Sequence, residues 1–259
     1  MVKGLYTAYT GMINEQNRMD IMTNNLANAS TVGYKKEGST SQSFDDVLTV
    51  KINDQSVGMR NVQRLGVKNP GVKIGENYTD YSQGSFRITG NTYDLALSGE
   101  GFFAIEFTNK AGETDTKYTR AGQFTLNKDG YLVTEEGDYV LDTQNRRIRL
   151  NTLIDSSITD DGTIYQNGQA VAKIQVTDFE DYDYLEKYGE TYYQPIQGAK
   201  TIAAKAQVKS GYLEMANVQI VSEMVNLISI TRAYESNQKV VQTIDDTLDV
   251  AVNQIGRVQ

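Results

Sequence analysis

The sequence contains no cysteine, no histidine and no tryptophan, and only two of its 259 residues are proline. Without cysteine and histidine the protein cannot form disulfides, thiol nucleophiles or zinc sites built from these residues, and it cannot use an imidazole as a base. An enzyme built on carboxylates, lysine, tyrosine or serine is still compatible with this composition. We expect neither a metal site nor a cofactor.

Positive charge is in the minority, since 25 lysines and arginines stand against 33 aspartates and glutamates, for a formal charge of -8. Contacts with nucleic-acid phosphates need clustered basic residues, so this balance argues against a nucleic-acid partner. Long apolar runs are also missing, because no window approaches the roughly 20 apolar residues that a membrane helix requires. The first residues lack the apolar core of a cleaved signal peptide, so none is expected.

The N-terminal residues have a helical pattern in which an apolar residue returns at every seventh position. Such a heptad series is typical of helices that wind around one another, and polar residues flank it, so the helix is amphipathic and not stable alone in water. We assign residues 1–34 to an N-terminal helix that stops in the region of Gly33. The series consists of Leu5, Met12, Met19 and Leu26.

The C-terminal residues repeat this pattern over a longer stretch. No glycine or proline interrupts the chain between Met215 and Ile255, so nothing in the sequence breaks a helix there. We assign residues 215–259 to a C-terminal helix and expect the two terminal helices to pair with each other. Its heptad series consists of Ile220, Leu227, Tyr234, Val241, Leu248 and Ile255.

The middle of the chain is typical of β structure. Short apolar segments alternate with turn sequences such as Asn127-Lys128-Asp129-Gly130, Asp161-Gly162 and Asn167-Gly168, which favour hairpins. We therefore predict an α+β fold with a β-rich, sandwich or barrel-like central domain at residues 81–199. Residues 35–80 are polar and weakly periodic and are assigned to an extended connector, and residues 200–214 to a return connector.

Two enzymatic or ligand-binding alternatives have weak support. The string from Gly99 to Ala104 fits the Gly-x-Gly-x-x-Gly/Ala pattern of dinucleotide sites, but that site needs a helix after the glycines, and the residues that follow favour a strand. The tyrosine- and aspartate-rich residues 178–193 could form a carbohydrate site. A solvated loop or the rim of an interface is the better explanation of the second region.

Three asparagines within five residues, Asn24, Asn25 and Asn28, are unusual in a helix because their amides compete for backbone partners. In one interpretation the helix frays here and stops at Gly33. In the other, the amides form hydrogen bonds across a packed helical interface and fix its register. The residues alone leave both open.

This stretch resembles the signature of the bacterial flagellar rod and hook protein family, which reads Asn-Asn-apolar-Ala-Asn-x-x-Thr-x-Gly-Phe/Tyr. Residues 5–12, 83–103, 118–124, 211–218 and 223–235 are similar to further motifs of that family, in the family's order. The residues that match the signature are Asn24, Asn25, Leu26, Ala27, Asn28, Thr31, Gly33 and Tyr34.

The resemblance implies a structural protein of the flagellar axis and not an enzyme, with no catalytic residue. In this family the terminal helices form an inner, coiled-coil-like domain around the export channel, and the β-rich middle faces outward. The resemblance predicts a helical homopolymer made through the terminal helices. The expected interface residues are Leu5, Met12, Met19, Asn24, Asn25, Leu26, Asn28, Gly33, Tyr34, Ile220, Leu227, Tyr234, Val241, Leu248 and Ile255.

Partners and location follow from the same resemblance. We expect contacts with other rod proteins and the hook protein, export through the flagellar type III apparatus without a cleaved signal, and a place in the basal body in the cell envelope. The charge pattern is compatible with peptidoglycan or a bushing ring as a contact of the outer domain. The length of the middle favours a rod protein over a hook or hook-associated protein. The C-terminal motifs and the total length favour the distal rod over the proximal rod, although residues 45–75 match neither type clearly.

Overall fold

The computed structural model describes residues 2–52, 62–109 and 112–253. They divide into two compact units. The helical unit consists of the described residues in the segments 1–26, 37–80 and 220–259, and the strand unit consists of those in 27–36 and 81–219. Each unit is therefore assembled from segments that are distant in sequence.

Two long helices begin and end the described chain: α1 (Val2–Ala27) and α2 (Ile220–Asn253). Helix α1 ends before the signature is complete, because residues 28–33 form turns. Helix α2 begins five residues later than the sequence predicted, since residues 215–219 precede its first turn. Neither helix is apolar enough over a sufficient length to span a membrane, as far as the described residues go.

The two helices pack against each other in antiparallel orientation. A Cβ atom added to Gly4 would lie 3.5 Å from Ile244 Cδ1, and one added to Gly11 would lie 2.9 Å from Asn237 Nδ2. A step of seven residues forward on α1 thus corresponds to seven residues backward on α2. This packing confirms the predicted pairing of the terminal helices and the α+β fold.

The helical unit also contains four strands: β1 (Glu37–Ser43), β2 (Val47–Ile52), β3 (Val62–Lys68) and β4 (Val72–Thr79). Strand β1 pairs antiparallel with β4, and β2 pairs antiparallel with β3. The segment that the sequence described as an extended connector is therefore organised into two ladders. The residues of β1 and β4 are mostly polar and exposed, and this hid these two strands, because strands without a buried face show no apolar alternation.

The strand unit is built from short antiparallel strands and one turn of 3₁₀ helix at Tyr182–Tyr184. Its strands are β5 (Phe86–Ile88), β6 (Leu95–Ser98), β7 (Phe102–Thr108), β8 (Thr114–Thr119), β9 (Phe124–Leu126), β10 (Leu132–Thr134), β11 (Tyr139–Val140), β12 (Ser156–Ile158), β13 (Thr163–Gln166), β14 (Gln169–Lys173), β15 (Val176–Phe179), β16 (Leu185–Tyr188), β17 (Tyr192–Pro195), β18 (Thr201–Ala203), β19 (Gln207–Ser210) and β20 (Tyr212–Glu214).

A nine-stranded sheet is the centre of this unit. Seven of its strands follow the order β16-β17-β8-β7-β11-β10-β9, while β15 pairs with β7 and β18 pairs with β15. Strands β12, β13 and β14 form a separate three-stranded sheet, and the pairs β19-β6 and β20-β5 are two-stranded. Residues 200–214, assigned to a return connector from the sequence, thus contain three strands that pair within the strand unit.

Strand β7 contributes to two hydrophobic cores because its successive side chains point to opposite faces. Phe103 lies in a core with residues such as Leu132 and Ile164, whereas Phe102 lies in a second core with Phe179 and others. A strand buried on both faces reads as a continuous apolar run. This strand follows Gly101 directly, so the helix required by a dinucleotide turn does not form at this position.

Candidate assembly interface

The residues of α2 on the side that packs on α1 include most of the predicted heptad series and some further positions. Leu227, Tyr234, Val241 and Leu248 are all partly buried, as are Leu5, Met12, Met19 and Leu26 on α1. Ile230, which lies three residues after the heptad residue Leu227, is only 3% exposed. Two predicted members differ: Ile220, at the first turn of α2, is 47% exposed, and Ile255 lies outside the described residues.

Polar residues occupy some of these heptad positions, and sequence reasoning missed them. Glu223 is 1% exposed and precedes Ile230 by seven residues, while Asn237 follows it by seven. Asn237 approaches α1 at Gly11, where there is no side chain. The spacing of seven residues could have identified them. A search restricted to apolar residues skips the polar members of a heptad series, and these members can fix the register of two packed helices.

A third buried polar residue lies on α1 and connects this helix to strand β1. Asn14 is 4% exposed, its Nδ2 donates to Ser41 Oγ at 3.0 Å, and its Oδ1 accepts from the same hydroxyl at 3.2 Å. Ser41 lies on β1. A buried amide satisfied in this way favours one position of β1 along α1.

Asn25 shows what the asparagine-rich signature does within the chain. Its side chain is fully buried; Nδ2 donates to the carbonyl of Glu37 at 2.8 Å, and Oδ1 accepts from the backbone N–H of Glu37 at 2.9 Å. The amide thus imitates a neighbouring strand and holds the start of β1. Asn24, its neighbour, has an exposed side chain on α1.

The rest of the signature lies in the strand unit. Asn28 is 7% exposed and its Oδ1 accepts from Thr31 Oγ1 at 3.2 Å. Gly33 has a φ of +70°, and a Cβ added there would lie 2.3 Å from the backbone nitrogen of Ala121. Only glycine fits both restrictions. Tyr34 is fully buried, with Lys187 Nζ 4.3 Å from its ring centre.

A buried cluster of charges follows the signature directly. Lys35 is 1% exposed, Arg120 4% and Glu214 0%. Lys35 Nζ donates to Glu214 Oε1 at 2.7 Å and to the carbonyl of Ser82 at 2.7 Å, while Arg120 Nη1 donates to Glu214 Oε2 at 3.2 Å. Charged residues are rarely buried unless they are paired in this way. The three side chains thus pair with one another inside the strand unit.

Both helices also expose an apolar strip on the side that does not face the other helix. On α2, Val221 is 76% exposed, Val225 59% and Ile228 52%. On α1, Tyr6 is 63% and Tyr9 56% exposed. We call these residues the outer strip. Because a helix with apolar residues on more than one side is normally buried on more than one side, the outer strip is suited to bind another helix.

The chemistry available here is limited to packing and hydrogen bonding. Among residues 2–52, 62–109 and 112–253, no group of three or more acidic side chains is placed to hold a metal ion. The predicted interface residues thus fall into two sets. Asn25, Asn28, Gly33 and Tyr34 are buried within their own units, whereas the heptad residues of α1 and those from Leu227 to Leu248 on α2 lie on the sides by which the two helices pack on each other.

Three family models match the chain. Flagella basal body rod protein matches residues 5–35, the flagellar hook protein FlgE/F/G D1 domain matches residues 96–168, and the flagellar basal body rod FlgEFG protein C-terminal matches residues 209–255. The matches cover α1 with the signature, much of the strand unit, and α2 with the strands before it.

Full-length relatives agree with these matches. The chain is 34% identical to the flagellar basal-body rod protein FlgG of Bacillus subtilis, over 98% of this chain and 99% of the relative. It is 32% identical to the flagellar basal-body rod protein FlgF of Caulobacter vibrioides, over the whole of both chains. A third relative, the flagellar hook-basal body complex protein FlhO of Bacillus subtilis, is 30% identical, again over both whole chains.

Proposed function

The chain belongs to the flagellar basal-body rod protein family, and we propose that within that family it is a subunit of the distal rod, which polymerises through α1 and α2 into a hollow helical drive shaft. Membership makes it a structural protein of the basal body in the cell envelope, associated with other rod and hook components, and not an enzyme. The distal position, the helical polymer and the route of assembly are the proposal.

The observation that carries the proposal is the outer strip. Helices α1 and α2 already bury one side against each other, so Val221, Val225 and Ile228 cannot be covered by that pairing. Each side chain of this size gains about 1.5–3 kcal/mol when it is fully buried. Contact with the helices of further copies would bury the strip, and contacts that repeat head to tail without closing generate a helical filament.

The distal assignment has a close alternative in the proximal rod. The relatives include both FlgG and FlgF proteins at nearly equal identity, 34% and 32%. The chain length and the C-terminal motifs favour the distal, FlgG type. Export by the flagellar type III apparatus and contact of the strand unit with peptidoglycan or a bushing ring are part of the same proposal.

Deletion of the gene in its native host tests this function. We expect isolated basal bodies viewed by electron microscopy to end in a shortened rod without a hook, and the gene supplied in trans to restore both. A long remaining stub supports the distal rod, and a very short one supports the proximal rod. Complete rods and hooks in the deletion strain would contradict the proposal.

A further inference from the structure

We propose that a groove on one face of the nine-stranded sheet binds a neutral oligosaccharide. The groove has a volume of about 490 Å³, a size typical of cavities that hold small ligands. It belongs entirely to the strand unit, so it is separate from the helices that carry the proposed assembly. Its hydrogen-bonding side chains are Thr116, Tyr118, Thr143, Asn145, Gln175, Thr177 and Thr201.

The register of the strands places the groove's hydroxyl groups on a common face. Ala104 on β7 lies opposite Tyr118 on β8, and Phe102, two residues earlier on β7, lies opposite Thr177 on β15. Thr177 in turn lies opposite Ala203 on β18. Because alternate residues of a strand share a face, Tyr118 and Thr177 lie on the same face as Phe102 and Ala104, which belong to the second core, and they line the groove beside that core.

The groove is neutral although the chain is strongly acidic. No lysine, arginine, aspartate or glutamate is among its described lining residues, whereas the whole chain has a formal charge of -8. A phosphate-bearing ligand would need a basic side chain, and a metal ion would need carboxylates. Threonine, tyrosine and amide side chains can both donate and accept hydrogen bonds, which suits a ligand covered with hydroxyl groups.

Two polar atoms of the groove lack an internal partner. Gln175 Oε1 is buried and accepts no hydrogen bond from the described residues. The hydroxyl of Tyr118, a residue that is 8% exposed, makes none with them either. Burial raises the pKa of Tyr118, so this hydroxyl stays protonated at neutral pH. A buried polar atom without a partner, such as Gln175 Oε1, is unfavourable, and a ligand hydroxyl could satisfy it. The Tyr118 hydroxyl is not buried in this way and could exchange water for the ligand.

An extended peptide is the main alternative occupant, because β18 is paired on one side only. Strand β18 has only three residues, however, and peptide addition depends on a row of backbone hydrogen bonds. The groove offers few of these and several side-chain hydroxyls. Its chemistry therefore favours a sugar over a peptide.

Titration calorimetry on the full-length chain tests the proposal with soluble maltohexaose and tetra-N-acetylchitotetraose as probes. We expect at least one of them to bind, and Tyr118→Phe to weaken that binding about three- to tenfold, since one hydrogen bond to the ligand is lost. Thr116→Val, at an exposed position on β8, should weaken it by a similar factor without affecting folding. Tyr165→Phe on β13 and Thr125→Val on β9 are the matched controls and should bind like the wild type.

Several results would overturn the proposal. They are the absence of binding by both sugars at millimolar concentration, equal binding by the groove variants and the controls, and binding of a neutral, threonine-rich extended peptide in place of the sugars. The thermal unfolding of each variant verifies that it is folded. Assembly of the rod is scored separately, so a failure here leaves the proposed function standing.

Discussion

At the scale of single residues, the cluster of Lys35, Arg120 and Glu214 joins parts of the strand unit that are far apart in sequence. Glu214 accepts hydrogen bonds from both cations and from the backbone N–H of Gly84 at 3.0 Å. Two cations thus share one carboxylate where water is excluded. Loss of that carboxylate would leave both cations buried without a counter-ion, which is far more unfavourable than the loss of an exposed ion pair.

We expect Glu214→Gln to lower the free energy of unfolding by about 3–5 kcal/mol, because a buried pair loses one partner while the other charges stay buried. Glutamine has nearly the same shape, so the change in volume is small and the effect of charge is isolated. Urea unfolding of the full-length chain, followed by the near-ultraviolet circular dichroism of its tyrosines, measures the difference.

Glu106→Gln is the matched control on the surface of the same unit. Glu106 receives two hydrogen bonds from Arg147, at 2.6 and 2.9 Å, but the arginine side chain is 43% exposed. The hydrogen bond from Arg147 lowers the pKa of Glu106, so any stability from this pair is present at neutral pH and lost as the pH falls through the pKa of the folded carboxyl. The control should lose about 1 kcal/mol or less. Equal losses in the two variants would contradict the importance of burial.

Sequence reasoning found the residues around this cluster but not the cluster. The signature and the motif at residues 211–214 were recognised separately, and 179 positions separate Lys35 from Glu214. Nothing in the local pattern of a lysine or a glutamate indicates burial, since these residues are normally exposed. Only the pairing of β20 with β5 and the turns after α1 bring the charges together.

At the scale of elements, α2 has two apolar sides, one packed within the chain and one exposed. The side with Leu227 and Val241 packs within the chain, whereas the outer strip, with Val225 and Ile228, is exposed. Polar substitutions on the two sides should therefore have different effects. On the inner side they weaken the pairing of the helices, and on the outer side they affect only contacts with other copies.

We expect the double variant Leu227→Asp, Val241→Asp to lose helical circular dichroism as a monomer, because an amphipathic helix without its packing partner is marginal in water. The double variant Val225→Asp, Ile228→Asp should keep the helical signal and yet be absent from basal bodies of the complemented deletion strain. Immunoblots of isolated basal bodies measure incorporation.

Val171→Asp is the control for the outer strip, since Val171 is 45% exposed on β14, a strand of the other unit. It should be incorporated like the wild type. Incorporation of the Val225→Asp, Ile228→Asp variant at the normal level would exclude the outer strip as an assembly surface. Failure of the control to assemble would show that any added charge is harmful.

The two helices were predictable from sequence because a heptad series persists through the whole length of each. Strands β1 and β4 were not, because residues such as Ser39 and Ser41 give no apolar alternation and pair through their backbones. The outer strip escaped notice for a related reason. A search for one apolar seam assigns the remaining apolar residues, such as Val221, to no partner.

At the scale of the whole molecule, neither of the two units is built from one continuous segment of the chain. The chain leaves the helical unit after α1, contributes residues 27–36 to the strand unit, returns for β1 to β4, and then enters the strand unit again. The short first segment includes Gly33, Tyr34 and Lys35, all of them buried. It is therefore a structural part of the strand unit and not a linker.

This arrangement predicts how fragments behave. We expect a fragment of residues 27–219 to be more stable to urea than a fragment of residues 37–219 by about 3 kcal/mol or more, because the shorter one loses the buried ring of Tyr34 and leaves Glu214 without Lys35. Lys35→Met in the longer fragment should remove part of this difference while keeping the ring. Equal stability of the two fragments would mean that residues 27–36 pack on the strand unit without stabilising it. The signature would then have to act in contacts between subunits.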